Sequence, residues 1–254
     1  MLIVTHFRTS VTALEADARH VRATQLITRP GTLPTVTIPI ADGRWPDADG
    51  IWPYLREPAE FFGIDMPEPT ALTAALAEFA ATVPATFLAA TVVIVETDGG
   101  SGVVVSGIPV QPMRSAPVAI VADDSVPPAH RASDPWWRRM AARTTSRAEV
   151  DQRERWLNGR GYADALSDGV PVLGALVVET PRGVVGVENP EPTSVLDQLA
   201  ACGWTAPITR AATTPADAVR AWWVSPRFDT HPVAELAGVS LPSTEAVPSF
   251  ARWS

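Results

Sequence analysis

Lysine is missing altogether from these 254 residues, whereas arginine occurs 20 times. Arginine can replace lysine as a surface cation, but it cannot supply the amine that an imine requires. An enzyme working through a Schiff base therefore cannot be built from this chain's own side chains. Cysteine is nearly as scarce. Cys202 stands alone, which excludes an internal disulfide framework and a cysteine-rich zinc site. The four histidines, His6, His20, His130 and His231, show no ligand spacing, so no metal site is expected. A G-x-S-x-G nucleophile elbow is also lacking. The opening residues have neither a basic stretch nor a long apolar run, and a cytoplasmic location is the expectation.

What is present points to a folded, acidic protein. Twenty-eight acidic residues against 20 basic ones give a net charge of −8, which repels phosphate backbones and argues against nucleic-acid binding. Hydrophobic residues make up 46% of the chain, enough to bury a substantial core. The longest apolar stretch, Ala71 to Val95, is broken by Glu78 and Pro84. It reads as a helix and then a strand, not as a membrane span.

Along the chain, Leu2 to Arg8 reads as a strand and Leu14 to Leu26 as a helix. Residues 30–70 are rich in Pro, Asp, Gly and Trp, with one strand over Thr35 to Ile40. Thr97 to Gly102 forms a turn between two β-branched runs and predicts a hairpin. Residues 110–135 are proline-rich and suggest a linker. A helix over Ser146 to Asn158 carries Glu149–Arg153 and Asp151–Arg155, acid-before-base pairs that mark a solvated face. Apolar runs at Val170 to Val178 and Val184 to Val187 flank a turn at Pro181–Gly183. Thr193 or Ser194 caps a helix to Ala201. Thr214-Pro215 starts another helix to about Arg220, and Ala221 to Ser225 is the last clear strand. Strands and helices mixed in both halves give an α/β or α+β class.

Several segments, taken in order, resemble the class IV aminotransferase superfamily, which includes branched-chain and D-amino-acid aminotransferases and 4-amino-4-deoxychorismate lyase. Arg143-Thr144-Thr145-Ser146-Arg147, followed by Arg160-Gly161-Tyr162-Ala163-Asp164-Ala165-Leu166, is similar to that family's Lys-Thr-x-x-Arg, helix, Gly-x-Asp-(Asp/Glu)-Ala-Leu pattern. Leu196 to Gly203, Thr214 to Asp217, Trp222 to Ser225 and His231-Pro232-Val233 with Gly238 look like its later segments. The resemblance implies a two-domain D-amino-acid aminotransferase-like fold. Residues 1–112 would form a small N-terminal α/β domain, 113–133 a linker, and 134–254 a larger, mixed, β-barrel-like domain. It also implies a homodimer, or pairing with an active homologue.

The same resemblance places Arg143 where the family has its catalytic lysine. A guanidinium stays protonated, so Arg143 can be neither imine-forming nucleophile nor base, and it is predicted to be non-catalytic. Arg22 matches the family's phosphate-contacting arginine, with Arg19 one turn away. Arg22, Arg143, Arg147 and Ser225 together would make an anion-binding set. The turn that cradles the cofactor phosphate falls on Asn189-Pro190-Glu191, where proline removes a donor and glutamate repels phosphate. The partner of the pyridine nitrogen is left between Glu179 and Glu188, and the hairpin that usually precedes the first strand is missing. No covalent cofactor is expected, and noncovalent pyridoxal phosphate is the remaining form. Three functions compete. They are a degenerate binding, regulatory or inactive-subunit protein; an enzyme acting on a small carboxylated metabolite, with Tyr162, Asp164 and His231 as acid/base candidates; and an aminotransferase or lyase using noncovalent pyridoxal phosphate. Trp136-Trp137 and Trp222-Trp223 could stack on an aromatic ligand, although such pairs more often pack one ring in a core and one at an interface. Cys202 is expected to be buried.

Overall fold

The computed structural model describes residues 31–83, 87–97, 100–128, 131–189, 193–242 and 250–251. The expected strand over residues 2–8, the helix over 14–26 and Arg22 lie outside the described residues. The chain divides into two compact units. Residues 1–110 and 134–147 form one, and residues 111–133 and 148–254 form the other.

In the first unit, β1 (Thr35–Ala41), β2 (Phe87–Thr97) and β3 (Gly100–Pro109) form an antiparallel sheet in that order. The β2–β3 hairpin is the one expected from the glycine-rich turn. Helices α1 (Ala48–Phe62) and α2 (Pro69–Thr82) bury Leu55, Leu72, Leu76 and Phe79 in one cluster with Ile38, Ile40, Val92, Ile94, Val103 and Val105. Proline at the start of α2 fits there because the first-turn N–H has no helical partner. Gly107 keeps this contact close. A Cβ on it would lie 2.7 Å from the Ala89 carbonyl oxygen and 2.9 Å from the Phe79 ring. Helix α1 runs through the stretch rich in Pro, Asp, Gly and Trp, where the sequence offers only the strand over Thr35 to Ile40. Its N-cap Asp47 accepts from the Asp49 N–H, Gly63 closes it in the left-handed region, and Pro53 and Pro58 lie inside it. A short helix, α3 (Trp136–Ala141), returns the chain to this unit. Trp136 and Trp137 on it are 50% and 60% exposed, so neither ring is a core ring.

The second unit is built on a nine-stranded mixed sheet. Its strands are β4 (Val118–Ala122), β5 (Asp164–Ser167), β6 (Val170–Pro171), β7 (Ala175–Thr180), β8 (Gly183–Glu188), β9 (Thr209–Arg210), β10 (Arg220–Val224), β11 (Thr230–Leu236) and β12 (Val239–Ser240). The order is β6-β5-β4-β11-β10-β7-β8-β9, with β12 paired to β11. Helices α4 (Ala148–Asn158) and α5 (Val195–Ala201) complete it, and Ser194 caps α5 with its side chain.

Three expectations change. Residues 113–133 are not a linker, because β4 lies there and pairs in parallel with both β5 and β11 inside the sheet. The segment 214–219 forms no helix. Thr214 instead donates both its N–H and its hydroxyl to the Gly169 carbonyl. The 170–178 run is broken into β6 and β7 by residues 172–174, whose N–H groups turn inward onto Asp164. No helix among the described residues is long and apolar enough to cross a membrane.

Candidate functional site

The segment after α3 is fastened to the first unit by its backbone. The Arg143 carbonyl accepts from the Thr35 N–H at 2.9 Å, and the Thr145 N–H donates to the Leu33 carbonyl at 2.9 Å. The Thr144 hydroxyl bonds the Gly31 and Ala141 carbonyls. This anchoring fixes where the Arg143 side chain begins, and α1 fixes where it ends. Glu57 accepts a hydrogen bond from the Arg143 guanidinium, and the Tyr54 ring centroid lies 4.0 Å from its Cζ. Tyr54 and Glu57 are one helical turn apart and so present a ring and a carboxylate to the same cation. Arg143 is 13% exposed at its side chain. Its charge is thus matched internally. Arg147 is also in the first unit, exposed, with its N–H on the Thr145 carbonyl.

Ser225 belongs to the second unit, in the tight loop between β10 and β11. The loop turns through Phe228, which has φ of 70°. The Ser225 hydroxyl donates to Asp229 and accepts from the Arg227 N–H at 3.0 Å. The other Asp229 carboxylate oxygen faces His231 Nε2 at 2.9 Å and Arg114 Nε at 3.4 Å. Asp229 is therefore the hub, with serine and histidine on opposite oxygens. A nucleophilic relay would need the histidine between the other two, so this arrangement activates no serine. Burial alone would push the Asp229 carboxyl up. The hydrogen bonds from His231 and Ser225, with the charges of His231 and Arg114, outweigh it and hold the value at about 2. Because this lies below the ordinary 3.8, the stabilisation is present above pH 4 and lost as pH falls through 2. Asp229→Asn should remove about 2 kcal/mol of pH-dependent stability from that acid limb, read by urea unfolding between pH 5 and pH 2.

Asp164 is completely buried. Its Oδ1 accepts from the N–H groups of Ala165, Val172 and Leu173, and its Oδ2 from Leu173, Gly174 and Trp223 Nε1. Burial pushes its carboxyl up against the pull of these donors. Closed on every side by donors, it fixes the backbone between β6 and β7 and has no face left for a substrate. Tyr162, half-buried, stands at the entry to β5 in a loop closed by its own N–H on the Leu157 carbonyl. No hydrogen bond joins any two of the three acid/base candidates, Tyr162, Asp164 and His231.

Glu188, at the end of β8, has a side chain only 3% exposed. Its carboxylate accepts from the Ser194 hydroxyl, from the Val195 and Leu196 N–H groups, and from Arg210 at 2.9 Å. Burial pushes this carboxyl up, and the donors from α5 and Arg210 oppose the shift. The free N–H groups at the start of α5 are thus met by the chain's own carboxylate. Glu179 instead pairs with Arg220 at 3.7 Å. Of the Asn189-Pro190-Glu191 turn, Pro190 and Glu191 lie outside the described residues. Cys202 is buried, with its thiol on the Leu199 carbonyl. Trp222 and Trp223 are both buried. Among the described residues no cluster of His, Cys, Asp or Glu could hold a metal ion.

Sequence spacing located Arg143 but missed Glu57, Asp229, Arg114 and Arg210. A signal existed for Asp229, in the alternation Ser225…Asp229-x-His231 around a turn. None existed for Glu57, which lies 86 positions from Arg143.

The donor set does not fit covalently held pyridoxal phosphate. The chain offers no side-chain amine, and the Arg143 guanidinium is already paired with the Glu57 carboxylate.

No family model and no curated protein matches the sequence. Solved structures do match. A hypothetical aminotransferase from Mycobacterium tuberculosis aligns with a TM-score of 0.60 and 20% identity, over 87% of this chain and 86% of that one. The same protein is also known in a pyridoxal-phosphate-bound form, at a TM-score of 0.59. A branched-chain aminotransferase from the archaeon Thermoproteus uzoniensis aligns at 0.59 with 15% identity, over 87% and 82% of the two chains. The branched-chain aminotransferase from Escherichia coli aligns at 0.56 with 12% identity, over 84% and 79%. These likenesses establish the fold, which is that of the class IV aminotransferases.

Proposed function

We propose that this chain is a class IV aminotransferase-like protein that performs no Schiff-base chemistry with pyridoxal phosphate. It serves instead as a binding, regulatory or inactive-subunit protein. One observation carries this reading. In a chain without lysine, the position matching the family's catalytic lysine holds Arg143, with its guanidinium against Glu57 and the Tyr54 ring. A permanently protonated group in that place neither forms the imine nor moves the substrate proton. The buried Glu188 at the start of α5 supports the same reading, because a fixed carboxylate repels a second anion brought beside it. In this role the chain acts as a homodimer or as the inactive subunit beside an active homologue.

Titration of the purified protein with pyridoxal phosphate, followed by absorbance, borohydride reduction and peptide mapping, tests the proposal. No saturating spectral change is expected, and no adduct beyond the α-amine of the chain's first residue. A saturating change without an adduct would establish a noncovalent cofactor site and revive the enzyme readings against the regulatory and inactive-subunit ones.

A further inference from the structure

The segment Gln111–Ala116, through which the chain enters the second unit, is tied to the start of β11 by four contacts. The Thr230 N–H donates to the Pro112 carbonyl at 2.9 Å, and the Arg114 N–H donates to the Thr230 carbonyl at 2.8 Å. Arg114 Nε pairs with Asp229 at 3.4 Å. The fourth tie is His231, whose Nδ1 faces the Ala116 carbonyl at 3.3 Å while its Nε2 faces Asp229 at 2.9 Å. The ring is held between them by Trp223, with centroids 5.7 Å apart.

A carbonyl and a carboxylate only accept hydrogen bonds. A neutral imidazole carries one N–H, so it can satisfy one of these two partners and must turn a lone pair on the other. Only the imidazolium donates to both. Among the described residues, the charged groups at the ring are Asp229 from its own loop and, on the same Asp229 oxygen, Arg114 from the entering segment. The neighbouring strand β10 presents the Trp223 ring, and β4 is wholly apolar in sequence.

We propose that His231 is a protonation-sensitive clasp on the entry segment of the second unit. When the ring is protonated, Nδ1–H bonds the Ala116 carbonyl and Nε2–H bonds Asp229. When the proton leaves to solvent, the remaining N–H stays on Nε2 beside the ionised Asp229. Nδ1 then presents a lone pair to the Ala116 carbonyl, and the tie becomes repulsive. Arg114 and Thr230 hold the segment at its other end, so deprotonation loosens the clasp without releasing the segment. This inference is independent of whether any cofactor binds.

The test is long-range proton–nitrogen correlation NMR on the full chain with labelled histidine, assigned by the signal lost in His231→Gln. It is paired with amide exchange at Arg114 and Thr230, corrected for the intrinsic rate. On the acid side of the imidazole titration both ring nitrogens should be protonated. On the basic side only Nε2 should be, with protection at Arg114 falling about tenfold, as expected for loss of a charge-assisted bond. In His231→Gln the step in protection should vanish. A protection step that persists in the variant would overturn the proposal, as would a neutral ring protonated at Nδ1 or unchanged protection across the titration. If the variant does not fold, the wild-type tautomer and protection profile decide the matter alone.

Discussion

Asp164→Ala is expected to lower the stability of the second unit by about 3–5 kcal/mol, with a fall in Tm of roughly 10–20 °C. The reason is what the substitution leaves behind. Removing the carboxylate strands the N–H groups of Leu173 and Gly174 and the indole N–H of Trp223, while the Val172 N–H keeps the Ala165 carbonyl. Each orphaned buried donor costs about 1–3 kcal/mol, and neighbouring losses add less than linearly because the loop relaxes once. The Ala165 N–H loses its side-chain acceptor as well. Asp164→Asn restores one acceptor oxygen but points an amide N–H₂ at donors, so it should recover only part of the loss. Hydrogen exchange should rise first at residues 172–174. A uniform rise across the unit, or a loss below about 1 kcal/mol, would show that the carboxylate is not what fixes this loop.

The Asp164 cluster also shows how far local sequence signals reach. The spacing Gly161-x-x-Asp164-Ala165-Leu166 was visible, and so was the apolar run that follows. The break in that run was not, because it is imposed from the tertiary structure. Residues 172–174 leave the strand path to wrap a carboxylate eight to ten positions upstream. Gly174 permits this approach, since a Cβ there would lie 2.3 Å from the Val224 carbonyl oxygen. The capped helix α5, the hairpin and α2 were legible because their determinants are local: Ser194, a glycine-rich turn, and an apolar stripe. Helix α1 was not, because Pro53 and Pro58 argue against a helix while Asp47, Gly63 and burial of Leu55 and Ala59 outweigh them. Strand β11 was also hidden. Pro232 within it faces Trp222 of β10, an unusual place for a residue without an N–H.

The candidate site followed the same rule. The motif order singled out Arg143, Arg147 and Ser225, yet the surroundings of Arg143 and Ser225 are decided by a partner remote in sequence or hidden in a turn. Glu57 answers Arg143 from α1, and Asp229 answers Ser225. A lone arginine in a sequence reads equally as an anion receptor or as half of an ion pair. Only the fold decides between them, and here it supplies the acid.

In the first unit the largest effect is expected from Phe79→Ala, about 3–5 kcal/mol. Phe79 is fully buried where α2 meets the sheet, and the space it fills is bounded by backbone that cannot collapse easily. Gly107 of β3 lies under the ring, close enough that its missing Cβ would meet both Phe79 and the Ala89 carbonyl. Gly107→Ala alone should therefore cost about 1–3 kcal/mol through overpacking. In the double variant the methyl group occupies part of the space left by the ring, so the two losses should sum to less than their separate values. The Ala89 oxygen remains in place, so full compensation is not expected. A double-variant cycle by urea unfolding gives the coupling directly. Strict additivity would mean that the ring does not rest on Gly107. Coupling of about 0.5–1.5 kcal/mol would establish that β3 carries glycine there because α2 brings an aromatic side chain onto it.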